Sequence, residues 1–545
     1  MAPFCMQKAV LARKDRMPMR DRGKSDVIVV GGGAAGCVLA NRLSTNPARE
    51  VLVLEAGPPD RHPMIRMPKG VGKILSDPAH VWPFKVAGRA GDNIPPGVWV
   101  RGKTLGGSSS TNGMMYVRGK PADYEALAEK SGEEWGWSHI ARAFDALEGE
   151  GGLRTSFPPH RPELDAVLEA AENLGLEKAD DPNDPDALDA VGYCPQSVWR
   201  GKRQSSAAAF LDPARDRDNL TIETGVTIDR VLFESGRAIG VTGLHNGARK
   251  TWYASEVILS CGTLGSPAIL ERSGIGDPER LGALDIPITA PNSAVGENLF
   301  EHSGITLQWR TKPGFSLNRE YSGLRLLKNA GRYFLQHKGP LASGTFDVIG
   351  WFRTSPDADR PDAQMLFAPH SIDRTKATMA TEPFPGVQAV IYPLRPRARG
   401  SLHIVSRDPN VLPEGSLDFF ADQQDRHELV DTVRFVRRLA KTAPLSDIII
   451  EETRPGPHAE TDREIIDSYR LLGTPAYHAA GTCRMGTDRK SVVDPHCRVR
   501  GVEGLRVVDL SIAPVMPAGN TFAPVCAIAW RAAELIQNDL QQEQT

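Results

Sequence analysis

The chain has 545 residues, with 65 Lys and Arg set against 67 Asp and Glu, for a formal net charge of −2 at pH 7. That near-neutral balance excludes a general electrostatic attraction to nucleic acid or to an anionic membrane and leaves only local patches. Hydrophobic residues at 40% and charged residues at 24% are the proportions of a globular protein long enough for two or more intertwined domains.

Residues 1–24 carry Lys8, Arg13, Lys14, Arg16, Arg20, Arg22 and Lys24 but no long apolar core, so they read as a disordered extension, with Met17 or Met19 as alternative starts. Seven cysteines run from Cys5 to Cys526 without paired spacing. They suit a reducing, cytoplasmic setting and offer no metal site. No apolar run approaches the roughly 18 residues that cross a bilayer, so a soluble protein without an integral membrane segment is expected.

The first patterned segment is the most informative. Val27-Ile28-Val29-Val30 leads into Gly31-Gly32-Gly33-Ala34-Ala35-Gly36 and then into apolar residues from Cys37 to Leu43, which reads as strand, tight turn and helix. A second apolar run, Val51-Leu52-Val53-Leu54, ends in Glu55 followed by Ala56. Glycines here let the chain turn sharply and leave bare N–H groups at a helix N-terminus, where a pyrophosphate is favoured; an acid closing the second strand can accept from ribose hydroxyls.

A loop-rich stretch from Pro58 to Val100 follows and ends in a second glycine loop, Arg101 to Gly119, containing Leu105-Gly106-Gly107-Ser108 and Thr111-Asn112-Gly113-Met114-Met115. Its small residues let main chain approach a ligand closely. Pro162 to Leu176 has helical spacing, and Asn219–Val226, Val231–Phe233 and Glu256–Ser260 read as strands that return to the first domain. From about Gly304 to Glu452 aromatics are frequent, and alternation at Gln388–Tyr392 and Ser401–Val405 predicts strands of a second sheet. Tyr321, Tyr333, Phe346, Trp351, Tyr392 and the other aromatics of this region are expected in its core.

Six ordered blocks then coincide, and over nearly its whole length the chain resembles the glucose-methanol-choline (GMC) family of flavin oxidoreductases. The blocks are the first glycine loop, Gly102–Gly119, Gly262–Gly276, Val295–Leu299 with Glu301-His302, His478–Gly486, and Gly504–Asp509 with Pro517–Thr521. The resemblance implies an α/β fold: a Rossmann-like FAD-binding domain at 25–303, with an inserted substrate-side segment near 155–200. A substrate-binding domain on a mainly antiparallel sheet with helices is expected at 304–452, and 453–545 returns to the first domain with the catalytic residues. It also implies FAD. Gly31, Gly33, Ala34, Ala35, Gly36, Glu55 and Ala56 would hold its ADP half, and Leu105, Gly106, Gly107, Ser108, Asn112, Gly113, Met114 and Met115 would line pyrophosphate and flavin. Val226 would touch adenine by its backbone, while Tyr477, Asp509, Asn520 and Thr521 complete the cofactor set. Members with covalent flavin commonly carry a histidine before the signature asparagine. Thr111 stands there in this chain, so non-covalent FAD is expected.

Oxidising an alcohol requires a base for the hydroxyl proton and an acceptor for hydride. By match of motif His478 is the base, and Asn520 donates to the developing alkoxide. Cys483, with no adjacent base, reads as packing. The expected substrate is an apolar or aromatic primary alcohol, and the electron acceptor is molecular oxygen or a quinone or dye. Choline, with Asp347 in place of a glutamate found in relatives, is an alternative, as is a lyase or photoenzyme on the same fold. A nicotinamide dehydrogenase is disfavoured by the second glycine loop.

Overall fold

The computed structural model describes residues 24–88, 97–376 and 380–542. The expected N-terminal extension lies outside the described residues except for Lys24, which opens the first strand, Lys24–Val30.

That strand is the centre of a seven-stranded sheet. It pairs in parallel with Val51–Glu55 on one side and with Ala248–Leu259 on the other. Leu220–Thr224 and Leu505–Val507 extend the parallel part, while Val226–Glu234 and Arg237–His245 fold back as an antiparallel flank. Val27, Ile28 and Val29 are completely buried, as a strand covered on both faces requires. The helices Ala34–Leu43 and Phe522–Gln542 pack on one another within this core. The last helix is also tied down by charge, since the buried Arg506 donates to Glu256 at 2.7 Å and to Asp539 at 2.8 Å. Thus three separated stretches of chain build one domain.

A second, eight-stranded sheet runs Ile449–Arg454, Ser303–Thr311, Gly386–Pro393, Ala363–Ala368, Val348–Phe352, Ala190–Tyr193 and Glu177–Lys178, with Thr474–Pro475 paired onto Ser303–Thr311. It is antiparallel except at its last pair. Period-two alternation divides its side chains between two faces. Val387, Ala389 and Ile391 pack against Pro162–Asn173, Gln423–Ala440 and Asp462–Leu472, whereas Ile349, Trp351, Leu366 and Tyr392 form a separate apolar cluster with Val117 and Ala518. The second face looks toward the glycine-loop domain.

Several expectations change. The boundaries expected at Gly304 and Glu452 fall inside strands, and Ile465, Ile466 and Tyr469 belong to the second core, so the return to the first domain comes after about residue 475. Ser401–Val405 is not part of the large sheet. Only Ser401–His403 is strand, paired with Glu414–Ser416 in a four-stranded sheet with Val81–Ala87 and Gly97–Gly102. The Asp425 carboxylate, accepting from the Arg397 and Ala398 N–H groups, turns the chain away before residue 401. Among the described residues no helix is long and apolar enough to cross a membrane.

Gly36 shows how tight the first turn is, because a Cβ there would lie 1.9 Å from the Gly31 carbonyl oxygen. Gly36→Ala must push the helix off the strand end. It is expected to cost about 2–3 kcal/mol, read as a fall of several degrees in the thermal unfolding midpoint.

Candidate active site

The two glycine loops are strapped to each other. Gly106 N–H donates to the Gly32 carbonyl at 2.7 Å, and a Cβ on Gly107 would lie 2.8 Å from Gly33 Cα. Between them and the sheet edge runs an elongated groove lined by Gly31, Gly33, Ala34, Ala35, Glu55, Ala56, Gly107, Ser108, Val226, Tyr477, Asp509 and Thr521. The helix Ala34–Leu43 begins on it with no side-chain cap, which leaves its first-turn N–H groups facing any anion there.

Glu55 is buried and each of its oxygens already accepts a backbone N–H, Gly32 at 2.8 Å and Gly57 at 2.7 Å. Burial pushes its carboxyl up to about 7 against those bonds. Each oxygen keeps a second lone pair for a ligand hydroxyl. Asp509 caps its own turn through Ser511 N–H and also accepts from Gly262 N–H at 2.9 Å and from the Ser266 hydroxyl, so its carboxylate holds the Gly262 loop at the groove.

Other residues matched to the cofactor set lie outside the lining. Gly36, Leu105 and Gly106 build the turn itself. Asn112, Gly113, Met114 and Met115 follow, with Met114 fully buried at φ +69° and Gly113 packed against Met115 and Thr345. Asn112 is held by a residue that motif matching missed. The fully buried Arg203 donates to the Asn112 side chain at 2.6 Å, to the Asn112 and Ser109 carbonyls and to the Ile65 carbonyl. Burial lowers its guanidinium to about 9.

Tyr477 and Ala479 line the groove, whereas His478 between them and Asn520 lie outside the lining, and the block around His478 is clamped to its neighbours. Thr263 donates its hydroxyl to the Ala479 carbonyl at 2.7 Å, and Thr482 donates back to the Thr263 carbonyl at 2.6 Å. Glu301, fully buried and paired with Arg101 at 3.4 Å, accepts the N–H groups of His478 and His302. Burial raises its carboxyl to about 7 although Arg101 opposes this. Cys483 is completely buried, as expected for a packing thiol.

His478 and Asn520 converge, with Asn520 Nδ2 3.1 Å from His478 Nε2. The bonds around them determine where the protons are. His302 Nε2 lies 2.8 Å from the Leu394 carbonyl, which can only accept, so the proton of neutral His302 is on Nε2. Its Nδ1 must then accept, and the His478 Nδ1 at 2.9 Å must donate. That leaves a lone pair on His478 Nε2, into which Asn520 donates. Desolvation lowers both imidazoles, His302 to about 4 and His478 well below its ordinary value, with His302 and Arg101 adding to the effect on His478. The Asn520 carbonyl oxygen in turn accepts from Gln364 at 3.1 Å. Tyr392 stacks on His302 at 4.9 Å and meets the edge of His478 at 5.6 Å, so one of the aromatics expected in the core belongs to this site.

Side-chain ¹⁵N spectra of histidine-labelled protein at pH 7 should show a histidine locked as the Nδ1–H tautomer. His302→Phe, which removes the acceptor, should abolish that signal and leave the fold intact.

The chain has relatives among known proteins along most of its length. The family model described as GMC oxidoreductase matches residues 25–304 and 396–529. An alcohol dehydrogenase (acceptor) of Pseudomonas putida is 35% identical over 94% of this chain and 95% of its own. An oxygen-dependent choline dehydrogenase of Staphylococcus xylosus is 35% identical over 94% of each chain. Among solved structures, a formate oxidase of Aspergillus oryzae superposes with a TM-score of 0.88 at 26% identity, covering 96% of this chain and 100% of its own. Pyridoxine 4-oxidase from Mesorbium loti gives 0.84 at 26% identity, covering 94% and 99%. With both halves of the family model matched in order and relatives aligned almost end to end, the chain belongs to the GMC oxidoreductase family, flavoproteins of the alcohol dehydrogenase and oxidase type.

Proposed function

We propose that this protein holds FAD non-covalently in the groove and oxidises an apolar or aromatic primary alcohol to its aldehyde, with His478 as proton acceptor and Asn520 orienting the substrate oxygen. The observation that carries the reading is the neutral Nε2 lone pair of His478 beside the Asn520 amide, 3.1 Å apart and both buried.

The groove fits the cofactor. Uncapped N–H groups of Ala34 and Ala35 suit a pyrophosphate, Glu55 has lone pairs for ribose, Val226 suits adenine, and Ser108, Tyr477, Asp509 and Thr521 line the remainder. Gly262, at φ +75°, would point a Cβ into open space, as expected where main chain faces a ligand. Thr111 is buried and bonded to the Ser108 carbonyl, and it has no nucleophilic ring nitrogen for a covalent link. Bound in this groove, FAD supplies the acceptor for the hydride that leaves the carbinol carbon.

The chain's own residues handle the proton. Two atoms 3.1 Å apart can both reach one oxygen at about 2.8 Å, so a substrate hydroxyl that replaces the Asn520–His478 bond donates to the freed Nε2 lone pair and accepts the released Asn520 Nδ2–H. Asn520 then stabilises the developing alkoxide with a donor that Gln364 has already oriented. His302 keeps the second ring nitrogen of His478 occupied, so the proton can arrive only on the substrate side.

An apolar or aromatic alcohol is supported by the cluster of Val117, Ile349, Trp351, Leu366, Tyr392 and Ala518, whose Tyr392 touches both histidines. Choline is the second reading, favoured by the name of the S. xylosus relative. Against it, Asp347 accepts from Gln196 and Ser343 and lies in the field of the Lys69 ammonium, which disfavours a second cation.

Purified protein should be yellow and release all its flavin on acid precipitation. Anaerobic addition of a panel of alcohols should bleach it, with choline slow; a lyase would leave it yellow, and readmitting oxygen separates oxidase from quinone-linked dehydrogenase. His478→Ala should lower kcat by about 10²–10⁴-fold and Asn520→Ala by about 10²–10³-fold, each with flavin retained. Glu55→Gln should instead weaken FAD binding by about 10–100-fold. Because His478 lies below the ordinary value of about 6.5, kcat/KM should stay flat as pH falls from 8 to about 6.5 and decline only below it; an acid limb above that range contradicts the assignment.

A further inference from the structure

The helix Gly323–Gln336 is amphipathic in the wrong sense for a helix that only faces water. Its inward side is anchored by polar groups: Asn329 donates to the Glu320 carbonyl, and Tyr333 donates its hydroxyl to the Arg66 carbonyl at 3.1 Å. Leu326 and Ala330 supply modest packing against Met67 and Leu341. The outward side is apolar. Leu324 is 84% exposed, Leu327 68%, Phe334 54% and Leu335 84%, and at 100° per residue these four share one side of the helix.

Charge frames this apolar stripe. Residues 321–338 contain four Lys and Arg and no Asp or Glu, in a chain whose net charge is −2. Arg325 pairs with Glu320 at 2.8 Å, while Lys328 and Arg332 are exposed and form no ion pair among the described residues. A neighbouring element extends the same chemistry. The Val198–Trp199 and Lys202–Arg203 hairpin packs on the end of the helix so closely that a Cβ on Gly201 would lie 1.9 Å from the His337 carbonyl oxygen. Its tip presents Trp199, 42% exposed with the Arg200 guanidinium over its ring at 5.8 Å, and the exposed Lys202.

We infer that this face docks the protein peripherally on an anionic lipid bilayer. Leucines and a phenylalanine on one side of a helix, with lysine and arginine beside them and a tryptophan next to its end, match the layers of a membrane interface: acyl chain, headgroup, and the amphipathic zone between. A second copy of the chain is a poorer occupant, since face-to-face stacking of two such helices would bring their basic edges together with no acid in the segment to offset them. Anionic headgroups supply that missing charge. The net charge does not oppose this, because screening confines the interaction to the local patch.

The test needs no turnover, so it stands apart from the proposed reaction. FAD-loaded protein is sedimented with unilamellar vesicles of phosphatidylcholine alone, or with roughly one-third phosphatidylglycerol added. The protein should pellet with the anionic vesicles, and less so as salt is raised. Leu324→Asp with Leu335→Asp should lower the partition coefficient by about tenfold or more, with melting temperature unchanged. Lys328→Glu with Arg332→Glu should remove the preference for anionic over neutral vesicles. The inference is overturned if neither vesicle pellets the protein, or if both double variants bind like the parent. It is equally overturned if light scattering shows a dimer that the leucine variant splits while vesicles bind neither form.

Discussion

The hydrogen bond between the Nδ1 atoms of His302 and His478 has room for one proton, and the Leu394 carbonyl decides which ring carries it. Because that carbonyl can only accept, it takes the Nε2–H of His302 and forces the neighbouring imidazole to donate. The donor directions around His478 and Asn520 follow from this assignment. Asn520 can donate to His478 only if Nε2 is bare, and Gln364 can donate to Asn520 only if the amide oxygen is turned away from the histidine. The chain of donors is consistent in one direction only, and burial keeps both rings neutral.

Such a network tolerates little displacement, which accounts for the interlocking of segments far apart in sequence. The Thr482 hydroxyl donates to the Thr263 carbonyl across 219 residues, and the Thr263 hydroxyl donates to the Ala479 carbonyl across 216. Glu301 gathers the backbone N–H groups of His302 and His478, which are 176 residues apart. At Gly481, φ is +95° and a Cβ would lie 2.4 Å from the Asn298 carbonyl oxygen, so the histidine block can nest against the Val295–Leu299 block only as glycine. The motifs are therefore best understood as contact surfaces of one another, and several of their residues never face the groove.

Much of this was legible in the sequence where a local rule applied. Strand, glycine turn and acid were readable because their spacing is fixed by a single βαβ-type unit, and Val27 to Glu55 folds as that pattern requires. His478 and Asn520 were found by motif. What escaped was long-range. Arg203 holds Asn112 from 91 residues away, and Gln364 holds Asn520 from 156, with no local pattern to mark either. The Val81–Ala87 strand was hidden among loop signals because Pro83 and the three-residue step from Val81 to Phe84 break the alternation that Phe84 and Val86 carry. Helical and strand periodicity could not place the end of the second domain, since Asp462–Leu472 is an ordinary amphipathic helix whose core is chosen by tertiary packing.

The matched family segments stop at residue 304 and resume at 396, yet the stretch between them contributes Gln364, Tyr392 and the Leu394 carbonyl. The same strands present the apolar cluster, whose Tyr392 lies against His302 and His478. On the proposed function, molecular recognition and proton affinity are written into one stretch of polypeptide. On that reading, divergence there, or a chimaera that exchanges it, would alter the tautomeric equilibrium of His478 together with the choice of substrate, so the two traits would be inherited as a linked pair.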